Sequence, residues 1–167
     1  MDKKYELLQE DAIQRYGSTL YRIKALRDFG GVKAGDLGGY VESESNLAHE
    51  GTCWVYDTAR VCGTARVYGN ARVCGNARVY GNAWVCGSAV VSCACHILIV
   101  APLGSRNGCT TFFRTKDGDI GVSCGCFQGN LDEFLAKVEE THGDNRYGAE
   151  YRAAAELARV HIQIGEK

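Results

Sequence analysis

From residue 51 to residue 92 the chain alternates small, polar, large and polar positions on a beat of six. Valine recurs as Val55, Val61, Val67, Val73, Val79, Val85 and Val91. Two places earlier stands a small residue each time: Cys53, Ala59, Ala65, Ala71, Ala77, Ala83 and Ala89. Glycine follows each four-residue segment, with Asp57 taking one of its places, and Asn, Thr or Ser comes next. In an extended segment alternate side chains face opposite ways, so the small residue and Val point inward while Arg and Tyr or Cys point outward. Glycine and Asn tolerate the positive φ that a corner needs. Three six-residue units then close a triangular coil of 18 residues, and stacked coils pair at about 4.8 Å. Glycine and Asn at every sixth place would break a helix, and six does not match its 3.6-residue turn. An internal repeat of this period is the mark of a solenoid.

The flanks have other rhythms. Residues 5–8 and 19–26 read as two short strands of a hairpin, and the loop 30–39 leads into the first coil. Val41, Leu47 and Cys53 keep a six-residue step at the inward small position, so the prism is expected over residues 38–98, about three coils. After it come an apolar run, 96–101, a linker, 102–108, and two strands, 110–115 and 120–127, joined by a hairpin turn at Lys116–Asp119. Asn130 with Glu133 makes a capping box for a helix whose apolar stripe is Leu131, Phe134, Leu135 and Val138. Residues 145–162 form a second helix. The expected fold is mainly β: residues 1–37 a hairpin and lead-in, 38–98 a short parallel β-helix, and 99–167 a ββαα unit that caps or oligomerises.

The six-residue pattern Val-x-Gly-Asn-Ala-Arg resembles the hexapeptide repeat of left-handed β-helix proteins. The stretch AGDLGGYVESESNLAHEGTCWVYDTARVCGTARVYGNARV, residues 34–73, resembles more closely repeat proteins carried by phages and prophages of gut bacteria. LYRIKALRDFG at 20–30 and FFRTKDGDIGVSCGCFQGNLDEF at 112–134 resemble the same group. The resemblance implies a left-handed coil, association in threes, and a phage-encoded protein acting in the host cytoplasm. It carries no settled activity.

Composition narrows the chemistry. The 167 residues hold 19 basic and 20 acidic groups, which gives no general argument for nucleic acid or membrane binding. The repeat is the exception, with four arginines against one aspartate in residues 51–95. Outward acids are missing there, which disfavours mimicry of duplex DNA. No apolar run approaches a membrane span, and the first residues have no secretory pattern. Of nine cysteines, Cys62, Cys74 and Cys86 recur inside the repeat, which fits reduced thiols better than an extracellular framework. Cys93 and Cys95, and Cys124 and Cys126, have one residue between them where zinc pairs usually have two or more. Alternation sets Cys124 and Cys126 on an apolar face, so buried thiols are expected and no metal.

The outward positions carry the candidate site. One prism face stacks Trp54, Arg72 and Val90; a second Arg60 and Arg78 beside Cys62 and Tyr80; the third Arg66 and Trp84. Arginine above arginine is repulsive unless an anion or water intervenes. The columns read as an interface between copies, as a solvated face, or as a stripe for phosphate or carboxylate with Tyr80 and Trp84 for stacking. Arg22, Lys24 and Arg27 make a second basic cluster, either an anion pocket at an oligomer's centre or a charged edge strand that resists aggregation. No phosphate loop or partnered nucleophile is visible, and no catalytic residue or cofactor is assigned. The expected function is a non-enzymatic, oligomeric accessory protein that counters host defence, by sequestering a small anionic or nucleotide signal or by blocking a host protein. Acyl transfer, which hexapeptide prisms commonly perform, and a structural role in an assembly are the alternatives. His49, at an inward position, reads as structural.

Overall fold

Every repeat valine of the computed structural model, which describes residues 2–165, ends a two-residue strand. These are β4 (Trp54–Val55), β5 (Arg60–Val61), β6 (Arg66–Val67), β7 (Arg72–Val73), β8 (Arg78–Val79), β9 (Trp84–Val85) and β10 (Val90–Val91); they follow β1 (Tyr5–Arg15), β2 (Ser18–Ala25) and β3 (Leu37–Val41). All repeat pairings are parallel. Val55 meets Val73 and Val73 meets Val91, while Val61 meets Val79 and Val67 meets Val85. The N–H groups of Arg60 and Cys62 donate to the carbonyls of Ala77 and Val79, both at 3.0 Å, and the other rungs repeat this sense. The seven valines and their alanines form a closed lining, each at most 1% exposed. Burying one valine contributes about 1.5–3 kcal/mol.

Corners explain the glycines. Gly51 has φ +65, and a Cβ there would stand 2.3 Å from the Gly69 carbonyl oxygen of the next turn. Asp57 holds φ +54 at the equivalent corner. Its carboxylate accepts the Gly75 N–H at 3.0 Å, an added bond that offsets the conformational cost of a side chain there.

The first turns differ from the expected register. Val41 pairs with Val61 and Leu47 bridges Val67, so both occupy the large inward position, not the small one. Between Leu47 and Val55 the beat lengthens from six residues to eight, and His49 and Glu50 lie in that longer corner.

Strand β3 also joins the hairpin. Antiparallel β1 and β2 extend its ladder into a five-stranded sheet ordered β1-β2-β3-β5-β8. The strand β1 runs to Arg15, well beyond the expected residue 8, and Tyr16 (φ +56) with Gly17 (φ +77) forms the turn. Positive φ at both central residues suits the twist of a two-residue hairpin. The described chain divides into two compact units, one ending at Ala94 and the other starting at Cys95.

The second unit has four strands where the pattern suggests two: β11 (Ile97–Leu103), β12 (Gly108–Arg114), β13 (Ile120–Cys124) and β14 (Phe127–Asn130), in that order and antiparallel. The apolar run expected after the prism is β11, and the expected linker is its end and the turn to β12. Helices α1 (Leu131–His142) and α2 (Arg146–His161) follow. The capping box forms: Asn130 Oδ1 accepts the Glu133 N–H at 2.8 Å, and Glu133 accepts the Asn130 N–H at 2.9 Å. Phe112, Val122, Leu131, Phe134, Ala155 and Ala158 make the core.

Candidate functional site

The five-stranded sheet sets arginine and tyrosine in one row. Arg22 on β2 lies opposite Tyr40 on β3, Tyr40 beside Arg60 on β5, and Arg60 beside Arg78 on β8. Their strand neighbours Val41, Val61 and Val79 face the lining, so the row projects outward. Arg22 Nε donates to the Gly38 carbonyl at 3.1 Å and Nη1 to the Tyr40 hydroxyl at 3.3 Å. Its guanidinium stands 5.4 Å from the Tyr40 ring centre, and Asp11 lies 3.9 Å away.

Tyr16 reaches the other end of the row from the hairpin tip. Its hydroxyl accepts Arg60 Nη1 at 3.4 Å, and the Arg78 guanidinium stands 5.2 Å from its ring centre. Two guanidinium groups one rung apart repel by about 1 kcal/mol in a water-like medium and by more where water is excluded. The Tyr16 π-face offsets part of that. Arg60 Nε is buried and has no hydrogen-bond partner among the described residues. Tyr80, 54% exposed, follows β8 directly.

The remaining expected site residues separate. Lys24 sits two places beyond Arg22 on β2, with Nζ 3.8 Å from Glu6. Arg27 turns away: its Nη2 donates to the His49 carbonyl at 3.2 Å, and it lies 5.8 Å from the Phe29 ring. Arg22, Lys24 and Arg27 therefore do not converge within this chain. Arg72 stands 5.1 Å from the Tyr56 ring on the ladder β4-β7-β10. Arg66 stands 5.7 Å from the half-buried Trp84 on the ladder β6-β9, where Tyr68 meets Trp84 edge-on at 6.0 Å.

Sequence reasoning missed Tyr16 and Tyr40. Both had a signal. Tyr40 precedes an inward Val41 as each repeat arginine precedes its valine, and Tyr16-Gly17 separates two strand-like runs. It also placed Trp54 on an outward face, read as an interface, a solvated face or a ligand stripe. Trp54 does point out of the coil, yet it is 1% exposed, packed edge-on by Phe29 at 5.2 Å and Tyr5 at 6.1 Å.

That packing encloses a second polar cluster. Lys4 is 0% exposed. Its Nζ donates to the Cys53 carbonyl at 2.8 Å and to the Cys53 thiol at 3.2 Å, and lies 4.9 Å from the Phe29 ring centre. Burial pushes the Lys4 amine below its ordinary pKa and the Cys53 thiol above its own. His49 stacks on Tyr5 at 4.4 Å, and its Nδ1 accepts the Lys4 N–H at 3.1 Å. The Tyr5 hydroxyl donates to the Leu47 carbonyl at 2.7 Å. Nothing in the sequence marks Lys4 as buried, because lysine is almost never fully buried.

The cysteines depart from expectation in one place. Cys126 is exposed and Cys124 half-buried, because Gly125 (φ +57) turns the chain between them. Cys62, Cys74 and Cys86 of the repeat are reduced thiols, as expected. In the second unit Cys124, Phe134, Lys137, His142 and Tyr151 line a cavity of about 100 Å³, with the Thr110 hydroxyl donating to Cys124 Sγ at 3.1 Å.

Parallel two-residue strands around a valine and alanine lining define a β-solenoid repeat. Residues 59–75, 71–87 and 77–92 match the YdcK beta solenoid repeat. The chain is 39% identical over 62 residues to the "Uncharacterized acetyltransferase YdcK" of Escherichia coli (strain K12), an alignment covering 33% of this chain. The chain spans 19% of the length of that curated relative. Among the described residues no helix is long and apolar enough to cross a membrane.

Proposed function

We propose that the protein is a non-enzymatic, oligomeric binding protein that takes a small anion of the phosphate or nucleotide class on the Arg22, Tyr40, Arg60 and Arg78 row. The observation that carries this reading is Arg60: a buried Nε without a partner, one rung from a second guanidinium and roofed by Tyr16. An anion held between Arg60 and Arg78 would remove the repulsion, and would reach the buried Nε once the Tyr16 side chain swings aside. Tyr16 and Tyr80 offer ring faces for a base.

Calorimetry with inorganic phosphate, AMP, ADP-ribose and a cyclic dinucleotide tests it. Binding of at least one is expected. Arg60→Ala should weaken it by about 10-fold or more, the size of one lost charge-assisted hydrogen bond. Tyr16→Ala should weaken the nucleotides more than phosphate. Silence across the panel would remove the reading.

The finer setting follows the resemblance of the repeat and its flanks. The coil is left-handed, with about three turns; three copies associate, and light scattering of a monomer at micromolar concentration would contradict that. The chain is a phage accessory protein acting in the host cytoplasm, where the bound anion is a host defence signal; blocking a host protein is the other form of this role.

A second reading is acyl transfer, favoured by the name of the Escherichia coli relative. His49 does not support it. Its Nδ1 lone pair is used by the Lys4 N–H, which leaves no acceptor nitrogen for a general base. Turnover of acetyl-coenzyme A by the purified protein would establish this reading against the first.

A further inference from the structure

Lys4 and Cys53 are an amine and a thiol sealed together in the first unit, and the anion site makes no use of them. Nζ lies 3.2 Å from Sγ, and both residues are 0% exposed. Among the described residues no carboxylate pairs with Lys4. Its other partners are the carbonyls of Cys53 and Glu50 and the ring of Phe29, and the positive charge of Arg27 adds repulsion. An ammonium so placed is costly, so burial draws Lys4 towards the neutral amine, which has a nucleophilic lone pair. Around Sγ the remaining groups are the carbonyls of Ala48, Glu50 and Val67, at 3.5 to 3.7 Å. A carbonyl cannot capture an oxidised sulfur. The amine can, and it already stands at the separation of a near-attack pair.

We propose that Lys4 and Cys53 form an oxidative cross-linking site whose co-reactant is hydrogen peroxide and whose product is a nitrogen–sulfur bond tying the N-terminal segment to the coil. In the first step the thiol sulfur attacks peroxide. The O–O bond breaks, sulfur is oxidised by two electrons to the sulfenic acid, and one water leaves. In the second step the Nζ lone pair attacks sulfur. The N–S bond forms, the S–OH bond breaks, and the departing hydroxide leaves with an amine proton as a second water. The pair loses two hydrogens and one peroxide becomes two waters. Peroxide enters during local opening of the N-terminal segment, so the rate follows its concentration. The new bond closes a loop between residues 49 apart in sequence.

The test is peptide mapping of the full chain after peroxide treatment, using chymotrypsin, so that a modified Lys4 does not block cleavage and Cys53 is the one cysteine of its peptide, which ends at Trp54. The expected result is a linked pair of peptides carrying Lys4 and Cys53, about 2 Da lighter than their sum and separated by a thiol reductant. The oxidised chain should unfold about 5 °C higher or more than the reduced one. Lys4→Arg should abolish the linked pair and let Cys53 proceed to the sulfinic acid; the map of the unmutated chain decides the question if that variant does not fold. Recovery of Cys53 as a free thiol, as a sulfinic or sulfonic acid or in a disulfide would overturn the proposal. So would a pair about 14 Da heavier, in which an oxygen atom bridges the two residues.

Discussion

Val73→Asp is expected to abolish the folded state of the first unit. Val73 sits in the middle of its ladder, between Val55 and Val91, and is 0% exposed. The lining around it is valine and alanine, with no donor to satisfy a carboxylate. An unpaired buried charge costs several kcal/mol even after relaxation, against a total stability of about 5–15 kcal/mol. Val73→Ala, which removes two methyl groups, should cost about 2 kcal/mol and leave a folded protein. Circular dichroism and amide exchange read both. A Val73→Asp chain with native exchange protection at Val55 and Val91 would show that these valines do not line a closed column.

Gly39→Ala should have the next largest effect, through space and not through conformation. Gly39 lies on β3 without a positive φ, so alanine fits its backbone angles. The added Cβ would stand 2.4 Å from the Ala59 carbonyl oxygen and 2.7 Å from Val55 Cγ1. One of those atoms is backbone held by the Tyr40 N–H at 2.9 Å, so it cannot yield without breaking a rung. A loss of about 3 kcal/mol is expected by denaturant titration. Gly81→Ala is the comparison: φ is +63 but nothing lies within 4 Å of the new Cβ, and the loss should be about 1 kcal/mol. Equal losses at the two sites would mean that β3 does not pass so close to the coil.

The lining was legible because it is local. A valine every six residues with alanine two before it settles which side faces in, whatever the rest of the chain does, and the corner glycines mark the turns. What was hidden depends on where distant segments land. Trp54 occupies an outward position and is buried only because Tyr5 and Phe29 settle on it. The beat hides its own lapse between Leu47 and Val55, since Cys53 is in step with Leu47 by sequence and with Val55 by structure. In the second unit, Cys-Gly-Cys continues an apparent strand, and only the positive φ of Gly125 reveals a hairpin turn. The arginine columns were visible one by one. Their grouping was not, because Arg22 and Tyr40 join Arg60 and Arg78 through the pairing of β2 with β3 and of β3 with β5, which no spacing records.

The winding of the repeat underlies both the arginine row and the buried lining, and methyl-labelled NMR tests it most directly. Contacts between valine methyls 18 residues apart are expected, from Val55 to Val73, Val73 to Val91 and Val61 to Val79. Contacts only between successive valines, with the close Hα pairs of antiparallel strands between neighbouring repeats, would describe a meander and contradict the account.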